Sequence, residues 1–478
     1  MSQSTITITE AEKQATVSVT APASKSVSHR YLIGAALAQG TSTVRHTLES
    51  RDLERTRAIL CAAGARMQTL PESTQASGAW RVEGMDGKPR GGAEGEPVSC
   101  DVEESGTTCR LLTAVPAAGE GEFRVHGAPR MHERPIVELT DALKKLGLCV
   151  TFEGKPDCPP LVLHAKGLDP ALCGGEVTLG MDISSQYFSG LLLAAPMGPA
   201  PLTVTLGGQK AVSWPYVGLT LQCMTDYGIR FEVETRAQAH GPWNMLPTGA
   251  WRDLTAAIPG CLRITVHPGV YRAGEYTVEG DWSGASYLLA AGALGLRPVR
   301  VEGLRTDSLQ GDRAMLDILQ RMGARITMTP DSVTVYPSTL HGVDLDMGHC
   351  PDLVPTVAVL AAFAKGSTRI SNVAHLRIKE SDRISAPVQE LAKAGVVIDQ
   401  LFDGMLIHGL AGRGNGKPAH PRLPEGVSLS AHNDHRIAMS LALLGLRQPE
   451  VRIHDLLDDP MVVRKSFPQF WSIWEQLA

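Results

Sequence analysis

The strongest constraint on this chain is a pattern that recurs along it. A run of small and apolar residues of helical length, ending at glycine and passing into a β-rich stretch, occurs at 32–44 (LIGAALAQGTSTV), and comparable runs lie at 110–125, 189–206, 287–302, 358–371 and 437–453. A second helical type alternates with the first at 59–68, 142–152, 222–233, 315–328 and 388–399, again with glycine between helix and strand. Helix, glycine C-cap and strand is the punctuation expected of such units. Six units at an average spacing of roughly eighty residues fill the chain. Each holds about two helices and several strands, an α/β or α+β composition. A doubly wound sheet needs no sixfold similarity and a solenoid uses shorter units, so two domains of three units each are the most economical packing. The Gly/Pro-rich segments 79–97 and 410–424 are expected to be exposed loops or hairpin excursions, and the polar, Trp-containing stretch 234–262 an insertion in the third unit.

Composition removes several function classes. No apolar run reaches membrane-spanning length, and the first residues lack a basic head followed by an apolar core. A soluble, cytoplasmic protein is expected. Nine cysteines without a CxxC pair argue against a disulfide framework or a zinc site. A net charge of -5 supplies no basic field for nucleic acid. Any anion-binding cluster must be local.

The stretch His375–Arg383 packs six titratable side chains into nine residues. Ile384, Val388 and Leu391 follow at helical spacing, so the charged run is predicted to enter a helix. Lys379 and Arg383 would then lie one turn apart on one face, with Glu380 three residues before Arg383. Such a run is either a solvated helix start laced with weak ion pairs, or two cations holding an anion beside a proton-transferring carboxylate. Four hydroxyl-rich starts precede apolar helices: Ser24-Lys25-Ser26 with Arg30, Ser105-Gly106-Thr107-Thr108, Ser184-Ser185-Gln186, and Ser213-Trp214-Pro215. One such start means little, but four suggest helix N-termini collected around anions. Arg130 and Arg134 flank a stiff turn, Asn433-Asp434-His435-Arg436 opens the last small-residue helix, and Lys465 lies near the end. Asp352 stands alone among apolar neighbours at a helix start, either as a cap or as a functional carboxylate.

In this order the stretches resemble the 5-enolpyruvylshikimate-3-phosphate synthase (3-phosphoshikimate 1-carboxyvinyltransferase) family. SKSxSxR at 24–30, SGTTxR at 105–110, PRMxERP at 129–135, SSQ at 184–186, SxPY at 213–216 and EGDxSxAS at 279–286 match. So do QGD at 310–312, PD at 351–352, KESDR at 379–383, NDHR at 433–436 and KSFPxF at 465–470. The resemblance spans essentially the whole chain and implies two domains of three βαβαββ units each, one discontinuous (1–23 with 280–478) and one inserted (24–279). It implies transfer of the enolpyruvyl group of phosphoenolpyruvate to the 5-hydroxyl of shikimate 3-phosphate, releasing phosphate, in a monomer with no metal or organic cofactor.

By the same resemblance Glu380 matches the residue that donates a proton to the methylene carbon, and Asp352 the acceptor from the 5-hydroxyl, with Lys25 as a third catalytic residue. Lys25, Gly106, Arg130, Gln186, Arg383, Arg436 and Lys465 match the phosphoenolpyruvate set. Lys25, Ser26, Arg30, Ser184, Ser185, Gln186, Ser213, Asp352 and Lys379 match the shikimate 3-phosphate set. The chain departs from the family pattern at Ala23 (usually Gly), Glu104 (commonly Asn) and His375 (Asn in some members), while Gly106 keeps room for phosphoenolpyruvate and for bulkier analogues such as glyphosate. The cations are expected to gather with few carboxylates to offset them. Two alternatives are the sister transferase acting on UDP-N-acetylglucosamine and a non-catalytic anion-binding protein. The former carries a reactive Cys where this chain has Pro129-Arg130-Met131, and the latter would be expected to have lost Asp352 or Glu380.

Overall fold

The structure, a computed structural model, describes residues 16–73, 77–412 and 420–477. All five helix–glycine–strand junctions read from the sequence are present. Helices Arg51–Ala62, Val137–Lys145, Pro215–Asp226, Met315–Arg321 and Ser385–Lys393 lead into strands Arg66–Thr69, Cys149–Phe152, Phe231–Thr235, Arg325–Met328 and Val397–Gln400. At each junction a glycine takes a positive φ, from 76° at Gly228 to 122° at Gly64, a conformation in which any side chain would be strained.

Among the described residues the strands form five small sheets of one repeated topology. In each, two strands pair in parallel and an antiparallel pair extends the sheet on one side. Val98–Asp101 lies parallel to Glu120–His126, which pairs antiparallel with Leu161–Lys166 and then Cys149–Phe152. Asp344–Asp346, Ser367–Ser371, Met405–His408 and Val397–Gln400 repeat this arrangement. A parallel pair requires a crossover, and here helices Gly106–Ala117 and Val354–Ala362 supply it. In a third sheet Glu176–Met181 and Leu202–Ala211 are the parallel pair, and the insertion at 234–262 adds a fifth, two-residue strand, Asn244–Met245.

The remaining two sheets exchange their edge strands along the chain. Val17–Thr20 pairs with Val299–Glu302, whereas the helix that follows it in sequence, Lys25–Leu37, leads into Thr41–Leu48, whose parallel partner is Glu275–Thr277. The chain accordingly divides into two compact units, one from Ala23 to Val278 and one from Glu279 onward together with the segment ending at Pro22. Close backbone packing marks this point: a Cβ on Gly280 would lie 2.3 Å from the Gly303 carbonyl oxygen.

Three helices form the centre of each unit. Val354–Ala362 packs against Trp282–Leu294 and His435–Ala442, and Gly106–Ala117 packs against Lys25–Leu37 and Ser185–Ala194. Every residue of Trp282–Leu294 and of Val354–Ala362 is buried, which explains why both are apolar on all faces.

The last repeat departs from expectation. Helix His435–Ala442 continues as a 3-10 turn, Leu443–Arg447, and among the described residues no strand follows; the only pairing there is an isolated parallel bridge, Leu429 to Leu457. Pro449 and Pro460 remove donors from the segment. The Gln448 side chain takes over the backbone pairing of Leu423, accepting its N–H at 2.8 Å and donating to its carbonyl at 3.3 Å. Of the two segments expected as loops, 79–97 begins inside strand Ser77–Glu83 and then bridges to Glu120 and Glu122, while residues 413–419 of the other lie outside the described residues. No helix among the described residues is long and apolar enough to cross a membrane.

Candidate active site

In the unit that begins at Glu279, the N-terminal ends of the three central helices carry the charged groups. Asp281 caps Trp282–Leu294, its carboxylate accepting from Gly284 N at 2.7 Å, and Asp434 caps His435–Ala442 through Arg436 N at 2.9 Å. Asp352 lies in the 3-10 turn Pro351–Leu353 that opens Val354–Ala362, and it does not cap that helix.

Arg383 joins these ends. It is 2% exposed, and its guanidinium donates to three carboxylates: Asp434 at 2.7 and 3.2 Å, Asp352 at 2.9 Å and Glu380 at 2.8 Å. Arg436 Nη2 donates to the other oxygen of Asp352 at 2.8 Å, and Lys465 Nζ lies 3.9 Å from Glu380. The cations are therefore compensated, contrary to the expectation of few offsetting carboxylates. The reason is local: the motifs that bring in arginines bring in Asp434, Asp352 and Glu380 as well, and a buried guanidinium is tolerable only when its N–H groups are paired.

The predicted helical placement of the charged run is also overturned. Ala374–Ile378 is a 3-10 turn, residues 379–384 are irregular, and the helix starts at Ser385. Asp382 accepts the Ile384 and Ser385 N–H groups at 3.0 Å and the Ser385 hydroxyl at 2.9 Å, so its side chain ends the irregular segment as a cap. Lys379 and Arg383 share no helical face. Glu380 nevertheless accepts from the Arg383 guanidinium, three residues on, at 2.8 Å.

Electrostatics separates two carboxyls of this cluster. Burial works against the charge on Asp352, but Arg436, Arg383 and Lys379 outweigh it and hold the carboxyl well below the usual carboxylate range. Asp312, 2% exposed, is pushed up to about 7, chiefly by burial and next by the charge of Asp352. The Arg383 guanidinium is held above its ordinary range because Asp434, Glu380 and Asp352 together outweigh its burial.

In the unit from Ala23 to Val278 the central helices again present their starts. The Lys25 ammonium pairs with Asp52. Thr108, in the first turn of Gly106–Ala117, donates to the backbone carbonyl of Asp52 at 3.2 Å and tethers that residue to the second helix start. Ser105 caps Gly106–Ala117 and Ser184 caps Ser185–Ala194, whereas Ser24 occupies the cap position of Lys25–Leu37 without closing a side-chain cap bond. Gln186 bridges two starts, donating to Thr107 at 2.8 Å and accepting from Arg110 at 3.0 Å. A Cβ on Gly106 would lie 2.6 Å from Arg134 Nη2 and 2.9 Å from Arg110 Nη1, so two guanidinium groups overhang that glycine.

Two predicted residues have partners of their own. Arg30 is 1% exposed and its guanidinium donates to Thr220, the Ser26 carbonyl, Ser189 and the Tyr216 carbonyl at 2.8 to 3.3 Å, tying three helices together. Arg130 is about half exposed and pairs with its neighbour Glu133 at 2.6 Å. Ser213, with φ of 56°, precedes helix Pro215–Asp226 in a left-handed turn. The sequence reading assigned no role to Asp434, Asp312, Asp52, Arg110 or Arg134. Four of these lie inside or beside quoted motifs, and only their partners across the fold distinguish them from helix caps and surface charge.

The sequence pattern of the family described as EPSP synthase (3-phosphoshikimate 1-carboxyvinyltransferase) matches residues 9–252 and 253–474. Curated relatives carrying the name 3-phosphoshikimate 1-carboxyvinyltransferase include one from Marinomonas sp. (strain MWYL1), 36% identical over 462 residues and covering 96% of each chain. Another, from Syntrophobacter fumaroxidans, is 39% identical over 457 residues, covering 95% of this chain and 96% of its own. Among solved structures, an EPSP synthase from Acinetobacter baumannii superposes with a TM-score of 0.69 at 22% identity over 97% of this chain and 96% of its own. The enolpyruvyl transferase NikO from Streptomyces tendae gives 0.67 at 18% identity over 97% and 95%; both structural likenesses speak to the fold. A match over nearly the whole chain, on a fold that presents Asp352 and Glu380 to one buried arginine, places this protein in the EPSP synthase (3-phosphoshikimate 1-carboxyvinyltransferase) family, as an enzyme of the shikimate pathway.

Proposed function

We propose that Asp352 and Glu380 are the proton-transfer pair in transfer of the enolpyruvyl group from phosphoenolpyruvate to the 5-hydroxyl of shikimate 3-phosphate. The observation that carries this reading is the shared guanidinium of Arg383, 2.9 Å from Asp352 and 2.8 Å from Glu380. Two acid/base groups on one buried cation suit a reaction in which one proton is delivered to carbon and another is removed from a hydroxyl. Phosphate departs from a tetrahedral adduct, and the side-chain cations stabilise the charge that develops there.

Substrate binding and base strength are coupled in this arrangement. In the resting cluster Arg436 and Arg383 hold Asp352 strongly ionised, which makes it a weak base. Phosphoenolpyruvate, competing for the same guanidinium groups, weakens that hold and raises the basicity of Asp352 at the moment a hydroxyl must be deprotonated. Arg383, Arg436 and Lys465, with Lys25, Gly106, Arg130 and Gln186, serve phosphoenolpyruvate. Lys25, Ser26, Ser184, Ser185, Gln186, Ser213, Asp352 and Lys379 serve shikimate 3-phosphate, and Arg30 supports them by fixing the helix that carries Ser26. The two compact units correspond in this reading to domains 1–23 with 280–478 and 24–279. Nine cysteines, all free where the structure describes them, suit a reducing cytoplasm, and the enzyme is read as a monomer.

The test is proton and phosphorus NMR of the purified enzyme with phosphoenolpyruvate and either shikimate 3-phosphate or UDP-N-acetylglucosamine. Vinyl ether product and inorganic phosphate should appear only with shikimate 3-phosphate. Turnover of the nucleotide sugar, or of neither acceptor, overturns the reading.

A further inference from the structure

Asp312 lies in the 3-10 turn Gly311–Ala314, in the QGD motif, and is not among the residues assigned to substrate or proton transfer. Its Oδ2 accepts from the Ser283 hydroxyl, while Oδ1 is buried without a hydrogen-bond partner. Ser283 Oγ is in turn 3.4 Å from Arg436 Nη2, the same atom that donates to Asp352 at 2.8 Å. A chain of contacts thus runs from Asp312 through Ser283 and Arg436 to Asp352, with every member in one unit.

A purely structural role explains this poorly. Tying the turn to helix Trp282–Leu294 needs only a neutral acceptor, and a buried carboxyl oxygen without a partner costs stability. We propose that Asp312 is a positioning residue that, through Ser283, sets how Arg436 divides its charge between Asp352 and a bound anion. This rests on the assignment of Asp352 as proton acceptor. When Asp312 is ionised, the Ser283 proton turns to it, Ser283 Oγ accepts from Arg436, and a second negative charge faces that guanidinium. When Asp312 is neutral it donates to Ser283 instead, and one negative charge fewer faces Arg436 beside Asp352. The groups facing Asp312 are Ser283 and Asp281 from helix Trp282–Leu294 and its cap, Asp352 and Cys350 from the turn before Val354–Ala362, and Arg436 from His435–Ala442. Burial and the Asp352 charge push Asp312 up to about 7, so the change of state falls at neutral pH.

The experiment combines kinetics with a direct titration. The wild-type kcat profile between about pH 5.5 and 9 should show an inflection near neutrality. Asp312→Asn should abolish it, changing the variant-to-wild-type kcat ratio at least about fivefold across that range. Carbon-13 NMR of aspartate-labelled enzyme should show one carboxyl titrating near neutrality that is absent in Asp312→Asn and moves to lower pH in Asp352→Asn. An unchanged inflection in folded Asp312→Asn overturns the proposal, as does the absence of any carboxyl titrating near neutrality. Should Asp312→Asn fail to fold by circular dichroism, Ser283→Ala decides: the inflection must shift, and an unaltered profile overturns the proposal. If Asp352→Asn keeps full turnover, the acceptor assignment fails, while the carbon-13 shift still reports whether Asp312 and Asp352 are coupled.

Discussion

Replacing Arg383 by methionine deletes the cation that three carboxylates share. Asp434, fully buried, would lose both of its guanidinium contacts, and Asp352 and Glu380 one each. Breaking a buried ion pair by removing one partner costs about 3–5 kcal/mol, because the remaining charge has neither water nor counterion. For a unit of this size each kcal/mol lowers the melting temperature by about 2–4 °C, so the loss should be about 6–20 °C at pH 8 by differential scanning calorimetry. The deficit should also depend on pH with a definite sign. In the wild type Asp352 is held below its ordinary 3.8, so its stabilisation is present above that value and lost as pH falls through the lowered one. In the variant Asp352 keeps Arg436 but loses the second guanidinium that holds it ionised, so it takes up a proton at higher pH than in the wild type. The gap between the two proteins must therefore narrow as pH falls toward 4. A loss under about 2 °C at pH 8, or a gap that widens in acid, refutes the view that Arg383 holds this cluster together.

Glu380→Gln and Asp352→Asn should each lower kcat by about a hundredfold or more while titration calorimetry still shows both substrates binding; near-normal turnover of Glu380→Gln removes it from proton transfer. Gly106→Ala should leave the melting temperature nearly unchanged, since the added Cβ meets only the tips of Arg134 and Arg110, yet raise the KM for phosphoenolpyruvate by displacing them. Glu390 is 2% exposed and accepts from Ser430 N at 2.9 Å, His432 at 3.0 Å and Lys393 at 2.8 Å, pinning a loop in which His432 and Asn433 take φ of 50° and 52° just before Asp434. Glu390→Ala should cost about 1–3 kcal/mol in chemical denaturation and raise the KM for phosphoenolpyruvate, whereas an unaffected KM would separate this loop from the site.

The repeated helix–glycine–strand units were legible in the sequence because each rests on local rules: apolar periodicity, and a residue without Cβ where φ must be positive. The glycine junctions end helices whose strands a reader of the chain can bracket within a few residues, as at Gly64, Gly147, Gly228, Gly323 and Gly395. Asp352 and Glu380, the pair proposed for proton transfer, were singled out by the order of short motifs, which did not locate them in space. Tertiary structure decided the rest. Asp382 stopped the charged run from becoming helix by capping Ser385–Lys393 with its own side chain. Arg383 became the centre of the cluster because helices distant in sequence bring Asp352 and Asp434 within its reach, and a buried guanidinium takes every acceptor available. Arg30, whose motif reads as substrate-binding, is bonded into three helices, and no spacing along a single strand of sequence could show that. Hydrogen-bond partners and desolvation are properties of neighbours in space, so the charge state of Asp352 and the near-neutral poise of Asp312 belong to the fold alone.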